Sequence, residues 1–139
     1  MRRVAPIVCA AALIALAACG KKEEEAKPAL AFKVQSVDLG KGIGANKRII
    51  KPGATFGPRD TIFAVVNSVG VSSRVTMAAQ WKDARGNTIA EYSQAVAPSG
   101  PAATEFHVSH AKGWPAGKYS VLLTANGSAA GTKAFDIKR

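Results

Sequence analysis

Apolar and polar residues alternate with a period of two over several short stretches of this chain. Val75, Met77, Ala79 and Trp81 are separated by Thr76, Ala78 and Gln80 and flanked by Arg74 and Lys82. That spacing puts the four apolar side chains on one face of a half-buried β-strand. Phe106 and Val108 alternate in the same way with Glu105, His107 and Ser109, and Tyr119, Val121 and Leu123 alternate with Lys118, Ser120 and Thr124. From Thr61 to Val66 the residues are continuously apolar or β-branched, which predicts a central strand covered on both faces. Turn-forming residues punctuate these runs at Pro52-Gly53, Ser68 to Gly70, Asp83 to Asn87, Pro98 to Pro101, Gly113 to Gly117 and Asn126-Gly127. After the first eighteen residues no stretch carries a helical stripe of useful length.

The last hairpin poses a register question. A plain two-residue turn at Asn126-Gly127 would pair Tyr119 with Ala134 and turn Phe135 away from the core. A longer loop through Ser128 or a bulge at Gly131 restores Phe135 to the face of Tyr119, and the bulge is favoured because glycine tolerates the backbone angles it needs. About seven short, evenly punctuated strands over residues 30–139 predict an all-β sandwich of immunoglobulin type. Pro115-Ala116-Gly117-Lys118-Tyr119-Ser120-Val121 resembles the tyrosine corner of such domains, with Val121 at the place of their second cysteine. Trp81 matches their buried strand tryptophan and is followed by a hairpin through Gly86-Asn87. The run from Thr104 to His107 and from Gly113 to Tyr119 also resembles uncharacterised immunoglobulin-like domains of proteobacterial envelope proteins. That resemblance implies a fold and a compartment but no activity.

The first eighteen residues follow another logic. Arg2 and Arg3 precede a fifteen-residue apolar stretch, Val4 to Ala18. The stretch is shorter than the roughly 18–20 residues a spanning helix needs, so residues 1–18 read as a cleaved signal peptide. Leu16-Ala17-Ala18-Cys19 resembles the lipobox of bacterial lipoproteins, which implies diacylglycerol on the Cys19 thiol and cleavage just before it. Cys9 then leaves with the signal and Cys19 is consumed by lipid, so no thiol remains for a disulfide. By the same resemblance, Gly20 directs the protein to the outer membrane, facing the periplasm. Residues 19–29 form the lipidated cysteine and a flexible tether in which three lysines balance three glutamates. Ten such residues reach roughly 35 Å fully extended, or about 15–20 Å as a coil.

Little in residues 30–139 points to catalysis. His107 and His110 are three apart, and on a strand they would face opposite sides, so they read as ordinary histidines rather than metal ligands. Gly40 to Asn46 imitates a phosphate-cradling loop, but Lys47 to Pro52 is too short and too β-branched to be the helix that such a loop opens; the segment reads as a flexible loop. No serine sits in a GxSxG elbow, and the six carboxylates of this region are scattered. The expectation is a protein with no enzymatic activity, cofactor or metal.

Charge is the remaining signal. The whole chain carries a formal +10. Residues 30–139 hold fourteen Lys and Arg against six acids, and Lys41, Lys47, Arg48, Lys51 and Arg59 crowd the first third. Lys47, Arg48, Lys51 and Arg59 are candidate contacts for anionic envelope polymers or lipid head groups. Trp114 is a candidate contact for a protein, or a cap on the end of the sandwich beside Tyr119. Nucleic acid is not expected, because no stacking aromatics interleave the basic residues. The leading expectation is an envelope lipoprotein that displays one module to a protein partner. Binding of an anionic polymer or lipid is the alternative, and enzyme inhibition through Ala97 to Ala102 a third.

Overall fold

A computed structural model describes residues 30–139; the expected signal peptide, Cys19 and the expected tether lie outside the described residues. The described residues contain nine strands and no helix: β1 (Lys33–Ile43), β2 (Ile49–Pro52), β3 (Thr55–Phe56), β4 (Ile62–Val69), β5 (Val75–Asp83), β6 (Thr88–Val96), β7 (Ala102–Val108), β8 (Gly117–Ala125) and β9 (Ser128–Ile137). They form a four-stranded sheet in the order β2-β1-β4-β7 and a five-stranded sheet in the order β3-β9-β8-β5-β6.

Two strands exceed the seven expected. β2 has four residues and β3 only two, too few to show alternation. β3 is held by parallel pairing of Thr55 and Phe56 with Asp136 and Ile137 of β9. The alternating residues meet between the sheets. Val37, Leu39, Ile62, Ala64, Val66, Phe106 and Val108 come from one side, and Val75, Met77, Ala79, Trp81, Val121, Leu123, Phe135 and Ile137 from the other. Each large apolar side chain buried there contributes about 1.5–3 kcal/mol. With no cysteine after Cys19, this packing replaces a disulfide. Phe135 is the aromatic hub: it stacks on Tyr119 (centroids 5.6 Å apart) and meets Phe56 and Trp81 edge-on at 5.7 and 5.9 Å.

The β8–β9 register forms as the pattern requires. Asn126 and Gly127 both have positive φ, 50° and 81°, which suits a two-residue hairpin turn. Leu123 pairs with Gly131 but Thr124 with Ala129, so Ala130 is the extra residue and Phe135 comes to lie opposite Tyr119. Gly131 also lies close under the other sheet, where a Cβ would stand 3.1 Å from Val37 Cγ2.

The glycine-rich segment departs from expectation. Gly40 to Ile43 is the end of β1, paired with β2, rather than a flexible loop. The β1–β2 hairpin folds back over the outer face of its own sheet, and Ile49 lies so close over Gly40 that a Cβ there would collide with its side chain. Val65 points away from the core yet is only 1% exposed beneath this flap. The apolar run of β4 is thus covered on both faces, by the core on one and the hairpin on the other.

Candidate functional site

The end of the sandwich formed by the loops after β3 and β7 is closed by Trp114. Its indole is 3% exposed, its Nε1 donates to the Asp60 carbonyl at 3.2 Å, and its backbone N–H donates to Pro58 O at 2.7 Å. Tyr119 meets the ring edge-on at 5.4 Å, and its hydroxyl donates to Pro115 O at 2.7 Å, the bond of a tyrosine corner. Trp114 therefore caps the core and offers no exposed indole to a partner.

The basic candidates do not share one site. The β1–β2 register places Lys41 opposite Lys51; like charges so paired repel. Asp60 offsets this: Lys41 Nζ lies 3.1 Å from its carboxylate. The backbone N–H of Gly57 on the Asp60 carboxylate, with Lys41 and Lys51 nearby, holds it below the usual aspartate range. Arg59 lies beside Gly113, next to the Trp114 loop. Only Lys47 and Arg48 converge. The folded-back hairpin hangs them over the outer face of the four-stranded sheet, above Gln35, Ser36, Asn67 and Ala102, in a cleft of about 590 Å³. Lys47 ends the three-residue loop Ala45 to Lys47, closed by the Gly44 N–H to Arg48 O bond at 2.8 Å, with φ 54°, a conformation that ordinarily favours glycine. Asp38 adjoins the cleft but accepts a hydrogen bond from Asn67 Nδ2 at 2.7 Å.

The carboxylates and histidines are occupied locally. Asp83 closes the β5–β6 turn, accepting from the backbone N–H groups of Asn87 and Arg85 and from the Asn87 side chain. The Asn87 N–H is the main cause of its depressed pKa. Asp136 faces Lys118 at 3.7 Å, and Glu105 contacts His107 at 2.7 Å. β7 ends at Val108, so His110 lies in the following loop, against Trp114. Among the described residues no three potential metal ligands cluster.

The feature sequence reasoning missed is β6. It lies at the edge of the five-stranded sheet, paired only with β5. Tyr92 is 50% and Ile89 44% exposed. Between β6 and β7 runs a groove in two connected parts of about 500 and 350 Å³, both bordered by Tyr92, Val108 and Ser109. Asp83 borders one part and Glu105 the other. The other edges are guarded. β2 is short and ends in Pro52; β3 covers only Asp136 and Ile137 of β9, and the rest of that strand carries Lys133 and the bulge at Ala130; on β7 the Glu105 carbonyl is taken by Gln94 Nε2 at 2.8 Å. β6 has nine residues without Pro, Gly, Lys or Arg; it bulges at Ile89, where Trp81 pairs with Ala90 but Lys82 with Thr88, and carries the exposed Glu91, so the regular stretch open to pairing is Ala90 to Val96. Its composition was the available signal, but an edge is a property of pairing that composition alone does not reveal.

The chain matches no family profile and no curated protein in sequence. Solved structures do share its fold. An immunoglobulin-like protein from Pseudomonas aeruginosa superposes with a TM-score of 0.52 at 8% identity, over 78% of this chain and 98% of that one. The alkylpurine DNA glycosylase AlkC of Pseudomonas fluorescens, bound to DNA containing an abasic site analog, gives 0.52 at 11% identity over 78% of this chain. This chain spans 30% of that enzyme's length. A CARDB domain from Pyrococcus furiosus, in complex with di-metal ions, aligns at 0.41 and 11% identity over 78% of this chain and 91% of that one. At such identities the first two likenesses speak to fold alone: residues 30–139 form an immunoglobulin-like β-sandwich.

Proposed function

We propose that this chain is a lipid-anchored module of the bacterial cell envelope that binds a protein partner and catalyses no reaction. Cys19 carries the anchor and residues 20–29 the tether, on the strength of the lipobox resemblance. The observation that carries the binding reading is the β6 edge, which beyond its bulge at Ile89 runs regularly from Ala90 to Val96 without Pro, Gly, Lys or Arg. Its occupant is an extended segment of an envelope protein, added as a further strand, with main-chain hydrogen bonds supplying affinity and side-chain pockets specificity. Asp83 and Glu105 border the adjoining groove of an otherwise basic module, which favours a segment carrying Lys or Arg.

Capture of the tagged chain after crosslinking in intact cells tests this reading. One envelope protein recovered with the native chain, and lost with Ser93→Pro at unchanged melting temperature, is the expected result. Equal recovery with Ser93→Pro overturns strand addition, and equal recovery with Cys19→Ala overturns the role of the anchor.

A second reading rests on the Lys47–Arg48 cleft, which suits an anionic group of an envelope polymer or lipid. Such binding falls steeply with salt and is lost in Lys47→Glu/Arg48→Glu; binding insensitive to both removes it. The inhibitor reading has less support. Pro98 is buried, its carbonyl accepts from Ser72 N, and Ser99 bridges to Val71, so Ala97 to Ala102 is knitted into one end of the sandwich.

A further inference from the structure

The two ends of the sandwich differ in charge and apolarity. One end gathers the start of β1, the β4–β5 and β6–β7 connections and the Asn126-Gly127 turn. Leu30 O accepts from Val71 N at 2.8 Å, Ala31 bridges to Val71, and Val71 bridges to Ser99. Phe32 and Lys33 border the same small cleft as Asn126. Lys33 and Arg74 are exposed there, and none of the six acids of residues 30–139 lies at this end. Asp60, Asp83 and Asp136 lie toward the opposite end, and Asp38, Glu91 and Glu105 lie within strands between the two. Two large apolar side chains also stand out at this end, Leu30 at 74% and Val71 at 46% exposure. The chain leads back from here, through residue 29, toward Cys19.

From this conjunction we infer that this end of the module is a membrane-facing surface, whose occupant is a bilayer bearing anionic head groups. Leu30 and Val71 enter the interface, while Lys33 and Arg74 meet lipid phosphates. The inference rests on the anchored reading and goes beyond it. A ten-residue tether reaches roughly 35 Å, whereas a nine-residue strand is about 30 Å long, so the tether alone would let the module lie on its side or turn over. Contact at this end instead stands the sandwich upright. The β6 edge then runs away from the bilayer and stays open to a partner, and the Trp114 end points outward.

The test is depth-dependent fluorescence quenching on the full lipidated chain. It is reconstituted in vesicles of three parts phosphatidylethanolamine to one part phosphatidylglycerol, with a brominated lipid as quencher. Val71→Cys and Arg85→Cys each place one thiol-reactive bimane, because the mature chain has no other free thiol. Quenching several-fold stronger at position 71 than at 85 is the expected result, and the difference disappears in Leu30→Ser/Lys33→Glu/Arg74→Glu. Equal quenching at the two positions shows a module that tumbles on its tether and overturns the inference, as does a triple variant that keeps the difference. The intact mass separates this outcome from failure of the anchor: a chain without acyl groups that stays off the vesicles overturns both readings.

Discussion

Tyr119 shows how much of this module depends on single side chains with several duties. Its ring stacks on Phe135 and meets Trp114, and its hydroxyl ties the strand to Pro115. Tyr119→Phe keeps the stacking and loses one hydrogen bond, so it lowers stability by about 1 kcal/mol in urea unfolding. Trp114→Ala instead opens the end of the core and costs about 3–5 kcal/mol; any binding defect in that variant reports the fold. Asp60 sets the response to acid. Its folded-state pKa is lowered, first by the Gly57 N–H and then by Lys41 and Lys51, from an ordinary value of 3.8. Its contribution is therefore complete above that value and is lost as pH falls through the lowered one. Asp60→Asn removes this part of the acid dependence, so its unfolding curves at pH 5 and pH 3 differ less than those of the native chain.

Elements were legible in the sequence where side chains alternate and illegible where pairing decides. β5 and β8 are visible because one face is core and the other solvent, and the β9 bulge follows from the need to return Phe135 to the core. β2 and β3 are too short to alternate, and the fold-back of the β1–β2 hairpin depends on a contact between Gly40 and Ile49 that no local pattern encodes. The same limit governs the candidate site. Lys47, Arg48, Lys51 and Arg59 are near neighbours in sequence, yet strand pairing sends Lys51 toward Asp60 and Arg59 to the Trp114 loop. Only Lys47 and Arg48 stay together. Gly40→Val tests the hairpin directly: the side chain cannot fit under Ile49, the flap lifts, and Val65 loses its cover. We expect a loss of about 1–3 kcal/mol and faster amide exchange at Val65, with the core face of β4 still protected.

At the scale of the whole molecule, location, orientation and binding surface form one argument. A lipid on Cys19 would fix the compartment, a basic and apolar end would face the bilayer, and the Ala90–Val96 edge of β6 would point into the periplasm for a partner strand. The fold carries none of this by itself, since the same sandwich appears in an enzyme bound to DNA and in a free-standing immunoglobulin-like protein. The most direct measurement is position-resolved photo-crosslinking in intact cells. A photoreactive residue replaces Tyr92 on β6 or, as a control, exposed Thr132 on β9 across the same sheet. One discrete protein adduct from position 92, abolished by Ser93→Pro, and none from position 132 is the expected result. The same adduct from both positions, or a position-92 adduct untouched by Ser93→Pro, would contradict strand addition at β6.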